Sequence, residues 1–159
     1  MRRRYLLALL ATVPAIDLAQ GAEPTGPQPE LPKEKLVIVT RDGLHHEFSV
    51  EMALTSQQQI VGEMFRPNVP ADGGMLFDWK TPRETQMWMR NTLAPLDMIF
   101  ISPDGTIHSI VENAVPESLA IIDSHGPVRA TLEVPTGTAS RLNIRVGDKV
   151  LQRIFGNAP

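Results

Sequence analysis

Hydrophobic and polar residues alternate along much of the chain, and this alternation predicts a protein built mainly of β-strands. Residues 35–40 form a short β-branched run, and residues 46–53 place Phe48, Val50 and Met52 on one face. Alternation with a period of two is typical of strands that bury one face. Further strand-like segments, separated by turns rich in Gly, Pro and Asp, cover residues 74–79, 84–90, 97–102, 106–113, 120–123, 128–134 and 149–154.

Two short helices are predicted between these strands. Thr55 followed by Gln58 fits a capping box, so a helix is expected over residues 56–65, before the next proline. A second short helix is expected over residues 135–142. About eight strands and two short helices predict a mostly β (α+β) fold, a small antiparallel barrel or sandwich. We expect residues 35–156 to form this single domain.

The N-terminal residues have the pattern of a cleavable signal peptide. Three arginines precede an apolar run from Tyr5 to Ile16, and small residues flank a predicted cleavage site after Gly21. The apolar run is shorter than the roughly 20 residues that span a bilayer. We therefore expect removal of residues 1–21 and a periplasmic or secreted protein with no stable membrane insertion, although a retained anchor is the alternative.

The segment that follows, residues 22–34, contains four prolines and few residues that pack well. Such a composition is typical of an extended, disordered tether.

Composition and charge narrow the classes of partner and chemistry. The formal net charge is −3, and loss of the signal peptide makes it more negative, which argues against nucleic acid as a partner. The chain contains no cysteine, so disulfides, Cys nucleophiles and thiolate metal sites are excluded. The oligomeric state is left open by these properties.

A series of short motifs resembles one known family. The motifs are Gly62-Glu63-Met64-Phe65-Arg66, Gly74–Phe77, Trp88–Thr92, Pro95–Phe100, Asp104-Gly105, Leu132–Pro135, Gly137 and Gly147-Asp148. In this order they are similar to domain-of-unknown-function family 192, over residues of about 46–154. The resemblance implies a compact β-rich domain, often found behind a signal peptide, and supplies no established activity. The family's first motif usually has Leu where this chain has Glu63, and we expect that position to face solvent.

The most distinctive segment, residues 86–100, predicts a candidate binding site. It combines the aromatic ring of Trp88 with the amide of Asn91, the hydroxyl of Thr92 and the carboxylate of Asp97. A sugar or other small polar molecule is bound by such groups, because its apolar face stacks on an indole while its hydroxyls form hydrogen bonds.

Two further residues complete the candidate site, and the segment that carries it also has a structural alternative. Arg66 is a possible ion-pair partner or carboxylate clamp, and Glu133 is a possible second acid beside Asp97. Alternatively, Trp88 fills the core, Asn91 and Thr92 cap a turn, and Asp97 pairs with an arginine to fix that turn.

The leading functional hypothesis is a non-enzymatic, exported binding module without a cofactor or metal, whose ligand is a small polar molecule or an envelope glycan. The chain lacks a Gly-x-Ser-x-Gly nucleophile motif, a phosphate loop, a dinucleotide fingerprint and a His-Glu-x-x-His zinc motif. One alternative is a glycan or peptidoglycan hydrolase that uses Asp97 and Glu133. Another is Cu(I) handling through methionines such as Met87 and Met89, although methionine is also an ordinary core residue.

Overall fold

The computed structural model describes residues 23–158, so the predicted signal peptide lies outside the described part of the chain. Within residues 23–158, no helix has the length and apolar character needed to cross a membrane. The elements follow one another as β1 (Lys33–Val39), β2 (His45–Ala53), α1 (Ser56–Val61), β3 (Gly73–Arg83), β4 (Gln86–Met87), β5 (Leu96–Ile101), β6 (Ile107–Ala114), β7 (Ile122–Asp123), β8 (Val128–Pro135), α2 (Thr138–Arg141), β9 (Lys149–Leu151) and a terminal 3₁₀ turn (Arg153–Phe155).

Seven of these strands form one curled sheet in the order β6-β5-β8-β3-β2-β1-β9, while β4 and β7 pair separately. The strand β9 returns towards the β5–β6 turn, where Thr106 and Lys149 form an isolated bridge. The Ile107 N–H also donates to the Asp148 carbonyl at 2.9 Å. The sheet therefore curls into a half-barrel, and the predicted mostly β fold is confirmed. One pair, β2 with β3, is parallel because α1 connects the two strands as a crossover.

The principal apolar core covers one face of the central strands. On β8, Leu132 and Val134 are fully buried in this core, together with side chains from β1, β2, β3 and β5. Because side chains alternate along a strand, Thr131 and Glu133 point to the opposite face of the sheet. The same alternation governs the whole sheet, so each central strand contributes to two different environments.

A row of cross-strand neighbours runs over that opposite face. Glu51 on β2 pairs with Met75 on β3, Met75 pairs with Glu133 on β8, and Glu133 pairs with Met98 on β5. Directly paired residues lie on the same face, and neighbouring strands are about 4.8 Å apart. Two glutamates therefore lie on the same face of the sheet with one methionine between them.

The helix α1 begins as predicted and ends four residues earlier than predicted. The Thr55–Gln58 capping box is confirmed, with the Gln58 N–H donating to Thr55 Oγ1 at 3.3 Å. The helix stops at Val61 because Gly62 adopts φ +50, and a Cβ there would lie 3.0 Å from the ring of Phe77. The turn after Gly62 directs the next residue, Glu63, towards the sheet.

The proline-rich segment 23–32 lies against the domain, which differs from the expected disordered tether. The Gln28 side chain donates to the carbonyls of Gln58 and Gly62, at 3.1 and 2.9 Å. Leu31 is buried, and its N–H donates to Glu51 Oε2 at 2.7 Å. Proline favours an extended backbone but does not prevent docking when other residues supply partners. The first strand accordingly begins at Lys33, two residues before the predicted start.

Candidate ligand-binding cavity

A cavity of about 280 Å³ lies between the end of α1, the β3–β4 region and Glu133 on β8. Its volume is near the lower limit for small-molecule sites, and it suits one small ring. The apolar wall consists of aromatic and thioether side chains: Phe77, Trp79, Trp88, Met64 and Met87, with Ile60 and Val61 at its edge. The polar groups are Gln59, Gln86, Thr92, Glu63 and Glu133.

Glu133 is the most unusual polar group in this cavity. Its exposed fraction is only 4%, and it lies between Met75 and Met98 on the neighbouring strands. Burial raises the pKa of Glu133 well above its ordinary value, and the nearby charge of Glu63 raises this pKa further. No hydrogen bond from residues 23–158 offsets these effects. The carboxyl group thus favours its neutral form, which can donate a hydrogen bond to a ligand.

Glu63 belongs to a buried ion cluster that forms one side of the cavity. The Arg66 guanidinium binds both oxygens of Glu51, at 2.7 and 3.0 Å, and one oxygen of Glu63 at 3.1 Å. Burial raises the pKa of Glu63, while the charge of Arg66 opposes that shift. Fork-shaped pairing of a guanidinium with a carboxylate fixes the geometry of all three side chains.

A second cavity, of about 250 Å³, lies on the other side of this cluster. It is lined by Glu51 and Arg66, with Gln28, Lys33 and Ser49 among the surrounding residues. Glu63 lines both cavities, so the ion cluster is the wall between them.

Two tryptophans contribute to the aromatic wall of the first cavity. Trp79 stacks on Phe77 with ring centroids 5.7 Å apart, and its Nε1–H donates to Thr131 Oγ1 at 3.1 Å. Trp88 retains 42% exposure, so it is a surface platform and does not fill the core. The Arg90 guanidinium lies 5.2 Å from the centroid of the Trp88 ring.

Asn91 and Thr92 form the turn that follows Trp88. Asn91 has φ +54, and its carbonyl accepts a hydrogen bond from the Phe65 N–H at 2.8 Å. The Thr92 hydroxyl donates to the Arg90 carbonyl at 3.2 Å. Asn91 thus has a structural role in the turn, while Thr92 also lines the cavity.

Asp97 does not reach the cavity, contrary to the arrangement expected for a pair with Glu133. Asp97 is the cross-strand partner of Val134, so it lies on the core face, opposite to Glu133. Its Oδ1 accepts from the N–H groups of Asn113 and Gly137, at 3.0 and 3.2 Å, and its Oδ2 accepts from Ala139 at 2.9 Å. Asp97 therefore connects β5 to the end of β6 and the start of α2, and it pairs with neither Arg66 nor Arg90.

Glu63 is the charged cavity residue that the sequence reasoning missed. We expected it to face solvent, and this was wrong, since its exposed fraction is 3%. The spacing of three residues between Glu63 and Arg66 was an available signal for an ion pair. The usual Leu at this position was a second signal, because an apolar residue there indicates a buried site.

The methionines of the proposed copper site separate into two groups. Met89 is fully buried, as are Met52, Met75 and Met98, so these residues serve as core packing. Met87 and Met64 instead line the cavity. Among residues 23–158, no group of three or more His, Cys, Asp or Glu residues is arranged to hold a metal ion.

The fold and this cavity define a small β-rich domain with one acidic, aromatic-walled site. The chain belongs to the family DUF192, described as an uncharacterised ACR, whose sequence profile matches residues 37–152. No curated protein sequence matches the chain significantly.

Two solved structures are similar to the chain over most of its length. One, from Sinorhizobium meliloti 1021, is provisionally described as a transcription regulator. It is 44% identical in sequence with a TM-score of 0.78, and the alignment covers 80% of this chain and 98% of the Sinorhizobium chain. The other, a protein of unknown function from Novosphingobium aromaticivorans DSM 12444, is 36% identical, with a TM-score of 0.74, and covers 89% of this chain and 94% of its own.

Proposed function

We propose that this protein is an exported, non-enzymatic binding module that holds a small polar ligand or one unit of an envelope glycan between Trp88 and Glu133. The observation that carries this proposal is an unpartnered, buried carboxyl group on the floor of a cavity whose mouth is a half-exposed tryptophan. A sugar ring has one apolar face for the indole and hydroxyl groups for Glu133, Gln86 and Thr92.

The aromatic wall supports binding energetically. A ring stacked on Trp88 displaces water from an apolar surface, and the cavity groups already hold their positions through packing and the Glu63–Arg66 pair. Preorganised side chains lose little entropy when a ligand arrives, which favours affinity.

A fluorescence titration tests this proposal. Sugars and soluble peptidoglycan fragments are added to the purified domain, and tryptophan emission and melting temperature are recorded. We expect at least one sugar class to change the emission and raise the melting temperature, and we expect Trp88→Ala to abolish both effects while Trp79 still reports folding. The matched control is Leu119→Ala, since Leu119 is 67% exposed and lies outside the cavity.

The proposal fails if no ligand class shifts the native protein while Trp88→Ala only unfolds it. Equal loss of binding in Leu119→Ala would also count against it, because the effect would then not arise in the cavity.

A glycan hydrolase remains the second candidate, with Glu63 replacing Asp97 as the partner of Glu133. Two carboxyl groups in one cavity, with raised pKa values, favour acid–base chemistry. Product analysis by mass spectrometry decides between the two functions: binding without turnover supports the module, whereas turnover that Glu133→Gln abolishes supports the hydrolase.

Nucleic acid is not proposed as a partner, in spite of the provisional description of the Sinorhizobium protein. The net charge of −3 gives no electrostatic attraction for phosphate backbones. Sequencing the N-terminus of the protein recovered from the periplasm tests the proposed export, and we expect it to begin at Ala22.

A further inference from the structure

The carboxyl groups around the cavity outnumber the guanidinium that pairs with them. Glu51 and Glu63 both bind the guanidinium of Arg66, and the charge of Glu63 acts on the third carboxyl group, that of Glu133. Arg66 binds both oxygens of Glu51 and one oxygen of Glu63, and among residues 23–158 no cation pairs with Glu133. Burial without a partner favours the neutral form of such an acid, and a cation that reaches it favours the charged form.

The walls of the cavity also favour a cation. Within the described part of the chain, no Lys, Arg or His lines the cavity, so an anionic ligand would find no positively charged side chain there. Phe77, Trp79 and Trp88 present aromatic rings, whose negative faces attract cations. Both tryptophans already have a guanidinium over one ring, Arg83 at 4.7 Å from Trp79 and Arg90 at 5.2 Å from Trp88, although neither arginine lines the cavity.

The unpaired acid and the aromatic wall together favour one class of ligand. We propose that the cavity selects a protonated primary amine carried on a small polar body, such as an amino sugar, with the ammonium bound to Glu133 and the body stacked on Trp88. This proposal rests on the proposed binding function and names its ligand.

Binding of such a ligand is coupled to the loss of one proton. The Glu133 carboxyl group gives its proton to solvent, and the resulting carboxylate accepts hydrogen bonds from the ammonium. The charged groups that face Glu133 are Glu63, from the turn after α1, and through it Arg66; the flanking Met75 and Met98 carry no charge. Glu63 strengthens the attraction of the site for the ammonium.

Isothermal titration calorimetry with glucosamine and glucose tests the proposal. These sugars differ at one position, an ammonium in place of a hydroxyl. Titrations at several pH values between about 5 and 8, in buffers with different ionisation enthalpies, give both the affinity and the number of protons released. The proteins are the wild type, Glu133→Gln, Trp88→Ala and the surface control Leu119→Ala.

We expect glucosamine to bind the wild type about tenfold or more tightly than glucose. Proton release should approach one per ligand at the acidic end and decrease as the pH rises through the pKa of Glu133. Glu133→Gln should bring the affinity for glucosamine down to that for glucose and abolish proton release, and Leu119→Ala should behave as the wild type does.

The outcomes separate this proposal from the proposed function. Glucose binding equal to glucosamine binding, or glucosamine binding without proton release, overturns the amine selectivity and leaves the polar-ligand module standing. Binding that neither Glu133→Gln nor Trp88→Ala reduces overturns both. No binding of either sugar overturns the amine proposal, and the wider series of ligands in the fluorescence titration then decides whether the binding module stands.

Discussion

Two buried acids on neighbouring strands, Asp97 of β5 and Glu133 of β8, have opposite surroundings. Asp97 is fully buried and accepts hydrogen bonds from three backbone N–H groups. Glu133 is 4% exposed and accepts none from residues 23–158. Burial of a carboxyl group is therefore not by itself a sign of function. An acid that satisfies backbone donors stabilises the fold, whereas an acid without partners at a cavity is available to a ligand.

The two faces of the sheet show the same contrast on a larger scale. On β8, Leu132 and Val134 belong to the closed apolar core, while Glu133 and Thr131 face the cavity side. The site thus uses a strand that the core holds rigidly, and alternation keeps the two environments separate.

The largest expected effect on stability comes from removing the ion pairs of Glu51 and Glu63. Both acids would then be buried without an ion pair, as Glu133 is among residues 23–158. Arg66→Met removes the guanidinium that pairs with Glu51 and Glu63 and leaves both buried acids without that ion pair. We expect a loss of roughly 3–5 kcal/mol in the free energy of unfolding at neutral pH, measured with urea. The loss should shrink at acidic pH as the carboxyl groups become protonated, and a loss that does not depend on pH would contradict the ionic role.

The next effect tests the structural role of Asp97. Asp97→Ala leaves the N–H groups of Asn113, Gly137 and Ala139 without their acceptor, and we expect a loss of about 3 kcal/mol in the free energy of unfolding. Urea denaturation of Glu133→Gln provides the comparison, and we expect it to lose no more than about 1 kcal/mol. Equal destabilisation by the two substitutions would remove the distinction between the two acids.

A smaller effect is the pH dependence of stability that Glu133 introduces. Its pKa is higher in the folded than in the unfolded protein, so the folded state binds more protons between the two pKa values, and stability falls as pH rises through that interval. The slope attributable to Glu133 is at most about 1.4 kcal/mol per pH unit. Glu133→Gln should lack this pH dependence. The difference in unfolding free energy between the variant and the wild type should therefore grow in favour of the variant as the pH rises above the ordinary pKa of glutamate. Parallel pH profiles of the two proteins would contradict a raised pKa.

The smallest effect on stability is expected for Trp88→Ala. Because Trp88 is 42% exposed and lies at the cavity mouth, we expect a loss of less than about 1 kcal/mol. Ligand-induced changes in melting temperature should nevertheless disappear. A large loss of stability would show instead that Trp88 is a packing residue.

Local patterns were sufficient to predict most strands, the start of α1 and the mostly β fold. Alternation identifies which residues share a face, as with Phe48, Val50 and Met52, and capping chemistry is contained within four residues. The arrangement of the site depends on strand pairing, which local patterns do not contain. Asp97 and Glu133 have similar apolar flanks, and only the register of β5 with β8 places them on opposite faces.

Glu63 illustrates a second limit of sequence reasoning. The positive φ of Gly62 and its close approach to Phe77 turn the chain inward, and a tertiary contact of this kind cannot be read from the helix pattern alone. The exposure of Trp88 likewise depends on the β4–β7 pairing and the turn that follows it, since an isolated Trp in an apolar segment is compatible with burial or exposure.

A direct measurement of the Glu133 titration tests whether the pKa of this buried carboxyl group is raised. The side-chain carboxyl carbon of Glu133 is followed by NMR in ¹³C-labelled protein as the pH is raised, with Glu133→Gln used to assign the signal. We expect a midpoint well above the ordinary value for glutamate in the ligand-free protein, and a lower midpoint when glucosamine is bound. A midpoint at the ordinary value in the ligand-free protein would instead show that Glu133 is a solvated or paired carboxylate, which contradicts the proposed site.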